Sequence, residues 1–168
     1  MTFFVTGLPR SRTAWLANFL TYGDNLCYHE GILGCKNIDE YIDKIGNGGD
    51  SNTLLASFDH TKFFPDAKVV IIDSTIEASV QYGWDYYNKD MTVPMHMLKV
   101  RLDGMRGLHV PFSEINNNLK NIWEYLYEEP YNEKRANMLV DLNIQMQNPQ
   151  DMDIKTLSNF MTSTKGVL

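Results

Sequence analysis

The sequence has few cysteines and no long apolar run. Cys27 and Cys35 are the only two cysteines among 168 residues, and their spacing matches no metal-binding motif. Free thiols in a chain without a signal peptide are typical of a reducing compartment, so we expect a cytoplasmic location. No apolar run approaches the roughly 20 residues that span a bilayer, so no membrane partner is expected.

Positive charge is scarce as well. The chain holds 15 Lys and Arg against 21 Asp and Glu, which gives a formal net charge of −6 and a pI near 5.1. Affinity for duplex nucleic acid comes largely from Lys and Arg that neutralise phosphates. The charge balance therefore excludes a general nucleic-acid binder, although a local basic site remains compatible with it.

The phosphate-binding loop of common ATPases is also missing. That loop needs Gly, four residues, Gly, Lys and then Ser or Thr. After Gly7 the chain reads Leu-Pro-Arg-Ser-Arg-Thr, with neither a second Gly nor a Lys at the required position. An ordinary ATP site is therefore not predicted.

What the sequence does contain is enough apolar material for one core. Hydrophobic residues make up 43% of the chain and aromatic residues 12%, and a chain of this size is typical of a single domain. We expect one domain over residues 1–168. Strand and helix patterns alternate, which predicts an α/β fold of three layers with a mostly parallel central sheet.

The apolar patterns predict where the main elements lie. Short β-favouring runs predict strands at 3–5, 25–28, 68–72 and 107–112. Apolar residues at helical spacing predict helices near 13–20, 37–45, 76–87, 91–105, 115–126, 132–142 and 152–161. We interpret 46–50 as a flexible connection, 51–63 as a weak helix and 143–147 as extended, and we expect Pro94 to interrupt the helix at 91–105.

The N-terminal stretch 2–20 reads as a strand, a tight loop and a helix. Its apolar run meets Gly7 and Pro9 and then gives way to apolar residues at helical spacing. The first amides of a helix have no partner inside the helix, and their partial positive charge suits an anion. Arg10 would add a full positive charge, so the stretch predicts a phosphate-binding loop.

Two ionisable residues follow the second predicted strand, namely His29 and Glu30. Ligands of open α/β sheets bind at the carboxyl ends of the strands, so both are candidates for a site. An acceptor hydroxyl must lose its proton as it attacks, and a side chain held within hydrogen-bond reach can take that proton. Glu30 is the first candidate for this general base and His29 the second.

The loop resembles the 5′-phosphosulfate loop of sulfotransferases. Its usual form is Gly, two residues, Arg or Lys, Ser, Gly, Thr, and Thr or Ser, often followed by Trp or Leu. Arg12 stands where that family has Gly, and Ala14 lacks the second hydroxyl. The matching positions are Gly7, Pro9, Arg10, Ser11, Thr13 and Trp15.

A later segment is similar in layout to the second sulfotransferase signature. There an Arg at a strand end and a Ser eight residues on hold the 3′-phosphate of the donor, and the corresponding positions here are Asp73 and Gln81. A carboxylate repels a phosphate, the more so where water is excluded. Lys165 and Gly166 match part of a late Arg-Lys-Gly segment that also touches this phosphate in the family.

The resemblance implies a sulfotransferase-like P-loop fold, of the compact kind found in bacteria and their phages, which would act in the host cytoplasm if phage-encoded. It implies sulfuryl transfer from 3′-phosphoadenosine 5′-phosphosulfate to a hydroxyl or amine of a small molecule or macromolecule, without a metal. Arg10 would stabilise the leaving oxygen, and Glu30 or His29 would deprotonate the acceptor. The donor-binding set would be Gly7, Pro9, Arg10, Ser11, Arg12, Thr13, Ala14, Asp73 and Gln81.

Two alternatives remain open. One is a kinase-like phosphoryl transferase that uses Mg²⁺ and ATP, with arginines in place of the Walker Lys. Such enzymes hold Mg²⁺ through a loop Ser or Thr and a carboxylate, and Asp73 at the end of a strand could supply the carboxylate. The other is a derivative of the fold that catalyses nothing and binds an anion or a protein.

Overall fold

The structure is a computed structural model, and it describes residues 1–127 and 129–140. Three predictions therefore lie outside the described residues: the extended segment at 143–147, the helix at 152–161, and the family match at Lys165 and Gly166.

The described residues form a central sheet of five strands: β1 (Phe3–Gly7), β2 (Cys27–His29), β3 (Gly49–Ser51), β4 (Lys68–Asp73) and β5 (Leu108–Pro111). These strands are all parallel and lie in the order β2-β3-β1-β4-β5. The prediction of an α/β fold with a parallel central sheet is thereby confirmed.

Helices cover both faces of this sheet. In the described part of the chain they are α1 (Thr13–Leu20), α2 (Ile38–Ile45), α3 (Glu77–Tyr87), α4 (Thr92–Asp103), α5 (Leu119–Leu126) and α6 (Glu133–Val140). Side chains from α1, α5 and α6 pack on one face, and side chains from α2, α3 and α4 pack on the other.

β1 is the central strand, and its sequence explains why. Phe3 and Val5 point into the core on the α1 side, whereas Phe4 points into the core on the α2 side. Every residue of the strand is buried, as is typical of a parallel strand with helices on both faces.

β3 corrects two predictions. Residues 46–50 are not a flexible connection throughout, because Gly49–Ser51 forms a strand between β1 and β2. Glycine is needed there, since a Cβ on Gly49 would lie 2.1 Å from the ring of Phe3. Residues 51–63 are not a weak helix either, but the end of this strand followed by two 3₁₀ turns, Leu55–Ser57 and His60–Lys62.

Smaller differences concern the ends of elements. β2 extends to His29, so this residue is the last of a strand and not the first of a loop. α5 begins only at Leu119, after two 3₁₀ turns. Pro94 does not interrupt α4, because it lies in the first turn, where a helix needs no amide donor. Within the described residues, no helix is both long and apolar enough to cross a membrane.

The order of the strands makes the end of β1 a point where the connections of neighbouring strands diverge. The chain leaves β1 towards α1 on one face of the sheet, whereas it leaves the neighbouring β4 towards α3 on the other face. In open parallel sheets such a divergence opens a space outside the carboxyl ends of the strands, where ligands bind. The loop after Gly7 lies at this point.

Candidate functional site

The loop between β1 and α1 has an unusual backbone. Arg10 has a φ of 74° and Arg12 a φ of 61°, while Ser11 between them is not among the residues with positive φ. Non-glycine residues in this region cost roughly 1–2 kcal/mol each. An alternation of handedness turns successive amides towards one side, which is the geometry of an anion-binding concavity.

The amides at the start of α1 have no acceptor of their own. Arg12 is the N-cap, and its side chain caps no amide of the helix. Within the described residues, no backbone hydrogen bond is made by the amides of Arg12, Thr13 or Ala14. These donors lie at the N-terminal end of α1, directly after the loop, so this part of the chain can offer several N–H groups to an oxyanion.

Contacts inside the loop hold this shape. Ser11 is fully buried and its hydroxyl donates to the carbonyl of Leu8. Gly7 packs against Ser11 so closely that an added Cβ would lie 2.8 Å from Ser11 Oγ and 2.9 Å from the carbonyl oxygen of Ile72. Ser11 Oγ also lies 3.3 Å from Ser74 Oγ, just past the end of β4.

The two arginines of the loop rest on aromatic rings. The guanidinium carbon of Arg10 lies 5.8 Å from the ring centre of Tyr82 in α3. That of Arg12 lies 4.5 Å from the ring of Trp15, and its Nη1 donates to Asn116 Oδ1 across 2.7 Å. Within the described residues neither guanidinium forms a salt bridge with a carboxylate, so both charges can act on an anion.

His29 links the loop to the end of β2. Its Nε2 lies 3.3 Å from Thr13 Oγ1 and 4.0 Å from Glu30 Oε1. Burial lowers the pKa of His29 below its usual value, so the imidazole is neutral at pH 7. The contact with Glu30 is therefore not an ion pair at neutral pH, and His29 serves as a hydrogen-bond partner of Thr13.

Glu30 is held tightly at the end of β2. Its φ is 52°, and its amide donates to the carbonyl of Ser51 across 3.1 Å. Oε1 accepts hydrogen bonds from the amide of Thr53 at 3.1 Å and from Thr53 Oγ1 at 3.0 Å. Burial raises the pKa of Glu30 to about 7, although the hydrogen bonds from Thr53 oppose the shift. A carboxyl with this pKa can accept a proton near neutral pH.

Asp50 holds the backbone next to Glu30, and it was not identified as a candidate from the sequence. Its Oδ1 accepts from the amide of Gly31 at 2.8 Å, and its Oδ2 accepts from Tyr41 at 2.6 Å and from Asn52 at 2.7 Å. Burial raises the pKa of Asp50 to about 6. These bonds fix the backbone directly after Glu30, so Asp50 has a structural part in forming the site.

Asp73 lies at the end of β4 but is already paired. Its carboxylate is 3.2 Å from Nδ1 of His109 on β5, and Nε2 of the same ring is 3.0 Å from the carbonyl oxygen of Met105. The hydrogen bond with Met105 and the pairing with Asp73 raise the pKa of His109. An imidazolium that donates on both sides satisfies this arrangement and offsets the charge of Asp73.

Gln81 is not directed at the loop in the way the family pattern expects. It is exposed on α3, and its Nε2 donates to Asp85 Oδ1 one turn along the helix, at 2.7 Å. Two other residues of α3 contact the loop: Tyr82, beneath Arg10, and Ser79, whose Oγ donates to the carbonyl of Pro9 at 2.5 Å. Ser79 and Gly83 are the two buried residues of α3, and the apolar pattern of this helix gave no signal for them.

The structure therefore brings together most of the residues singled out in the sequence. Arg10, Arg12, Thr13, His29 and Glu30 lie around one end of the sheet. In the part of the chain that is described, no three His, Cys, Asp or Glu residues form a group that could hold a metal ion. That the proposed chemistry needs no metal stays a prediction.

Comparison of the chain with protein-family models, with curated proteins and with solved structures gives no match.

Proposed function

We propose that the loop at residues 7–13 binds the phosphosulfate of a nucleotide donor and that the protein transfers a sulfuryl group. One observation carries the proposal. Of the four described non-glycine residues with positive φ, three lie at this end of the sheet, namely Arg10, Arg12 and Glu30. Backbone strain of this kind is typical of sites where geometry serves a ligand.

The loop supports the proposal through its charge. The amides of Arg12, Thr13 and Ala14 make no backbone hydrogen bond within the described residues, and the exposed guanidinium of Arg10 belongs to the same loop, so these groups are available to an oxyanion. In sulfuryl transfer, negative charge builds on the bridging oxygen as the bond between it and sulfur breaks. Donors that are already in place stabilise this charge without reorganisation.

The acceptor side rests on Glu30. The donor, 3′-phosphoadenosine 5′-phosphosulfate, supplies the sulfuryl group. The acceptor oxygen or nitrogen forms a bond to sulfur and loses one proton, which Glu30 takes up, and adenosine 3′,5′-bisphosphate leaves with the electrons of the broken bond. A carboxyl with a pKa of about 7 can take up this proton and return it to water.

The residues fit the 5′ end of this donor better than its 3′ end. Asp73 and Gln81 bring no cation to the position where the family binds the 3′-phosphate, and the charge of His109 is already matched by Asp73. We therefore expect the 3′-phosphate to add little affinity. Adenosine 5′-phosphate should bind within about threefold of the 3′,5′-bisphosphate, since neither Asp73 nor Gln81 carries a positive charge that could bind the 3′-phosphate.

A second candidate is phosphoryl transfer from ATP with Mg²⁺. It is favoured by the hydroxyls of Ser11 and Ser74, which lie 3.3 Å apart, Ser74 being the residue after Asp73 in the chain. Hydroxyl and carboxylate oxygens are the ligands that Mg²⁺ prefers. The pairing of Asp73 with His109 weighs against this candidate, because a metal would have to compete with the imidazolium.

Calorimetric titration separates these functions. Micromolar binding of adenosine 3′,5′-bisphosphate supports sulfuryl transfer, and binding of ATP only with Mg²⁺ supports the kinase. If neither binds, a role in binding another anion or a protein is left.

Substitution of Arg10 tests the loop itself. Arg10→Ala should abolish binding of whichever nucleotide the wild type binds, whereas Arg106→Ala, a control at an exposed position, should leave it unchanged. Unchanged affinity in Arg10→Ala would remove Arg10 from the site.

A further inference from the structure

The two oxygens of the Glu30 carboxylate have different surroundings. Oε1 accepts both hydrogen bonds from Thr53, one from the amide and one from Oγ1, and it also faces His29 Nε2 at 4.0 Å. Oε2 has no hydrogen-bond partner in the described part of the chain. The side chain is 16% exposed, so the carboxylate is not fully shielded from solvent.

The backbone of Glu30 is fixed from several directions. Its amide donates to Ser51 at the end of β3, and its carbonyl accepts from the amide of Leu33 at 2.9 Å. Thr53 follows β3 by two positions, so the same strand end holds both the backbone and Oε1 of Glu30. The carboxylate therefore has little freedom to rotate.

We propose that Thr53 is a positioning residue, which holds Oε1 of Glu30 so that Oε2 is the atom that takes the acceptor's proton. This inference rests on the proposed function. It also selects Glu30 over His29 as the base, because the Nε2 of His29 is engaged with Thr13 Oγ1. His29 then orients the hydroxyl of Thr13 in the loop.

The hydroxyl of Thr53 should have a measurable electrostatic effect. Hydrogen bonds to a carboxylate favour its charged form, so the two bonds from Thr53 lower the pKa that burial raises. Replacing Thr53 with Val removes the Oγ1 donor and keeps both the shape of the side chain and the backbone amide. The proton should then bind Glu30 more tightly.

The first experiment uses the free protein and needs no substrate. The titration of Glu30 is followed by NMR with ¹³C-labelled glutamate side chains. In Thr53→Val the midpoint should rise by about one pH unit, the order expected for one hydrogen bond to a charged group. Thr53→Ser should keep the wild-type midpoint, because it keeps the hydroxyl.

Thr61→Val is the matched control. The hydroxyl of Thr61 also donates to a carboxylate oxygen, Asp59 Oδ1, at 2.6 Å, and this contact is exposed. Its loss should leave the midpoint of Glu30 unchanged. A Glu30 midpoint that is the same in Thr53→Val and in the wild type overturns the positioning role. CD spectra that match the wild type in all three variants would exclude a folding defect as the cause of either result.

The second experiment measures the pH dependence of sulfuryl transfer. In Thr53→Val the acid limb of kcat/KM should move upward by the same amount as the midpoint, while the affinity for adenosine 3′,5′-bisphosphate stays unchanged. If the titration midpoint of Glu30 moves in Thr53→Val but the acid limb of kcat/KM does not, Glu30 is not the base. A moved midpoint in a protein that transfers no sulfuryl group overturns the proposed function together with the proton transfer, but leaves Thr53 as the residue that orients Glu30.

Discussion

The hydroxyl of Ser79 donates to the carbonyl of Pro9 across 2.5 Å, between residues 70 positions apart. This bond ties the first turn of α3 to the loop that carries Arg10. Ser79 is only 2% exposed, so water cannot readily replace the bond. The shape of the loop therefore depends partly on α3, a helix that follows β4, although the loop itself follows β1.

We expect Ser79→Ala to destabilise the protein by about 1 kcal/mol, because a partly buried carbonyl loses its donor. The affinity of the loop for the nucleotide should fall as well, since Pro9 precedes Arg10. Ser113→Ala, at an exposed position, is the control and should change neither quantity. Urea denaturation and calorimetric titration measure the two effects. Equal stability of the two variants would contradict a supporting role for Ser79.

Arg12 offers a test of backbone strain in the loop. Arg12→Gly and Arg12→Ala both lose the contacts with Trp15 and Asn116, but only Ala keeps the cost of a φ of 61°. We expect the Gly variant to be more stable than the Ala variant by about 1 kcal/mol. Thermal and urea denaturation give the difference.

Val100 is the control for this comparison. It lies within α4 and is 72% exposed, and in an exposed helix the order should be the reverse, with Ala more stable than Gly by about 1 kcal/mol. If the Ala variant is more stable than the Gly variant at position 12 as well as at position 100, the backbone of Arg12 is not strained.

The pKa of Glu30 predicts how stability changes with pH. Burial raises the pKa from 4.5 to about 7, so the folded protein binds this proton more tightly than the unfolded chain. The stabilisation is fully present below about pH 4.5 and is lost as the pH rises through 7. Between these limits the wild type should lose roughly 2–4 kcal/mol more unfolding free energy than Glu30→Gln. Urea denaturation at several pH values measures this, and parallel curves would contradict it.

The elements that could be predicted from the sequence are those whose residues carry their own signal. β1 and β4 are apolar runs buried on both faces, and α1 follows Gly7 with apolar residues at helical spacing. Because these elements place the loop, most of the candidate site could also be identified. Both arginines lie in the loop, and Thr13 at the helix start, that were expected after the first strand, and His29 and Glu30 lie at the end of the second.

The remainder depends on contacts between distant residues. β3 consists of Gly, Asp and Ser, which have little strand propensity, and it forms because backbone partners lie on both sides. Asp50 lies in β3 and Thr53 comes two residues after its end. Without that strand, their contacts with Gly31 and Glu30 could not be predicted. The pairing of Asp73 with His109 likewise needs the register of β4 against β5, which no local pattern gives.

The position of β3 between β1 and β2 also orders events during synthesis. β1 and β2 share no hydrogen bonds, because β3 separates them. A nascent chain that has emerged only as far as α2 thus cannot join its first two strands by their native partners. The edge of β1 that pairs with β3 stays unpaired until Ser51 has left the ribosome, and the loop after Gly7 gains its neighbours on that side only then.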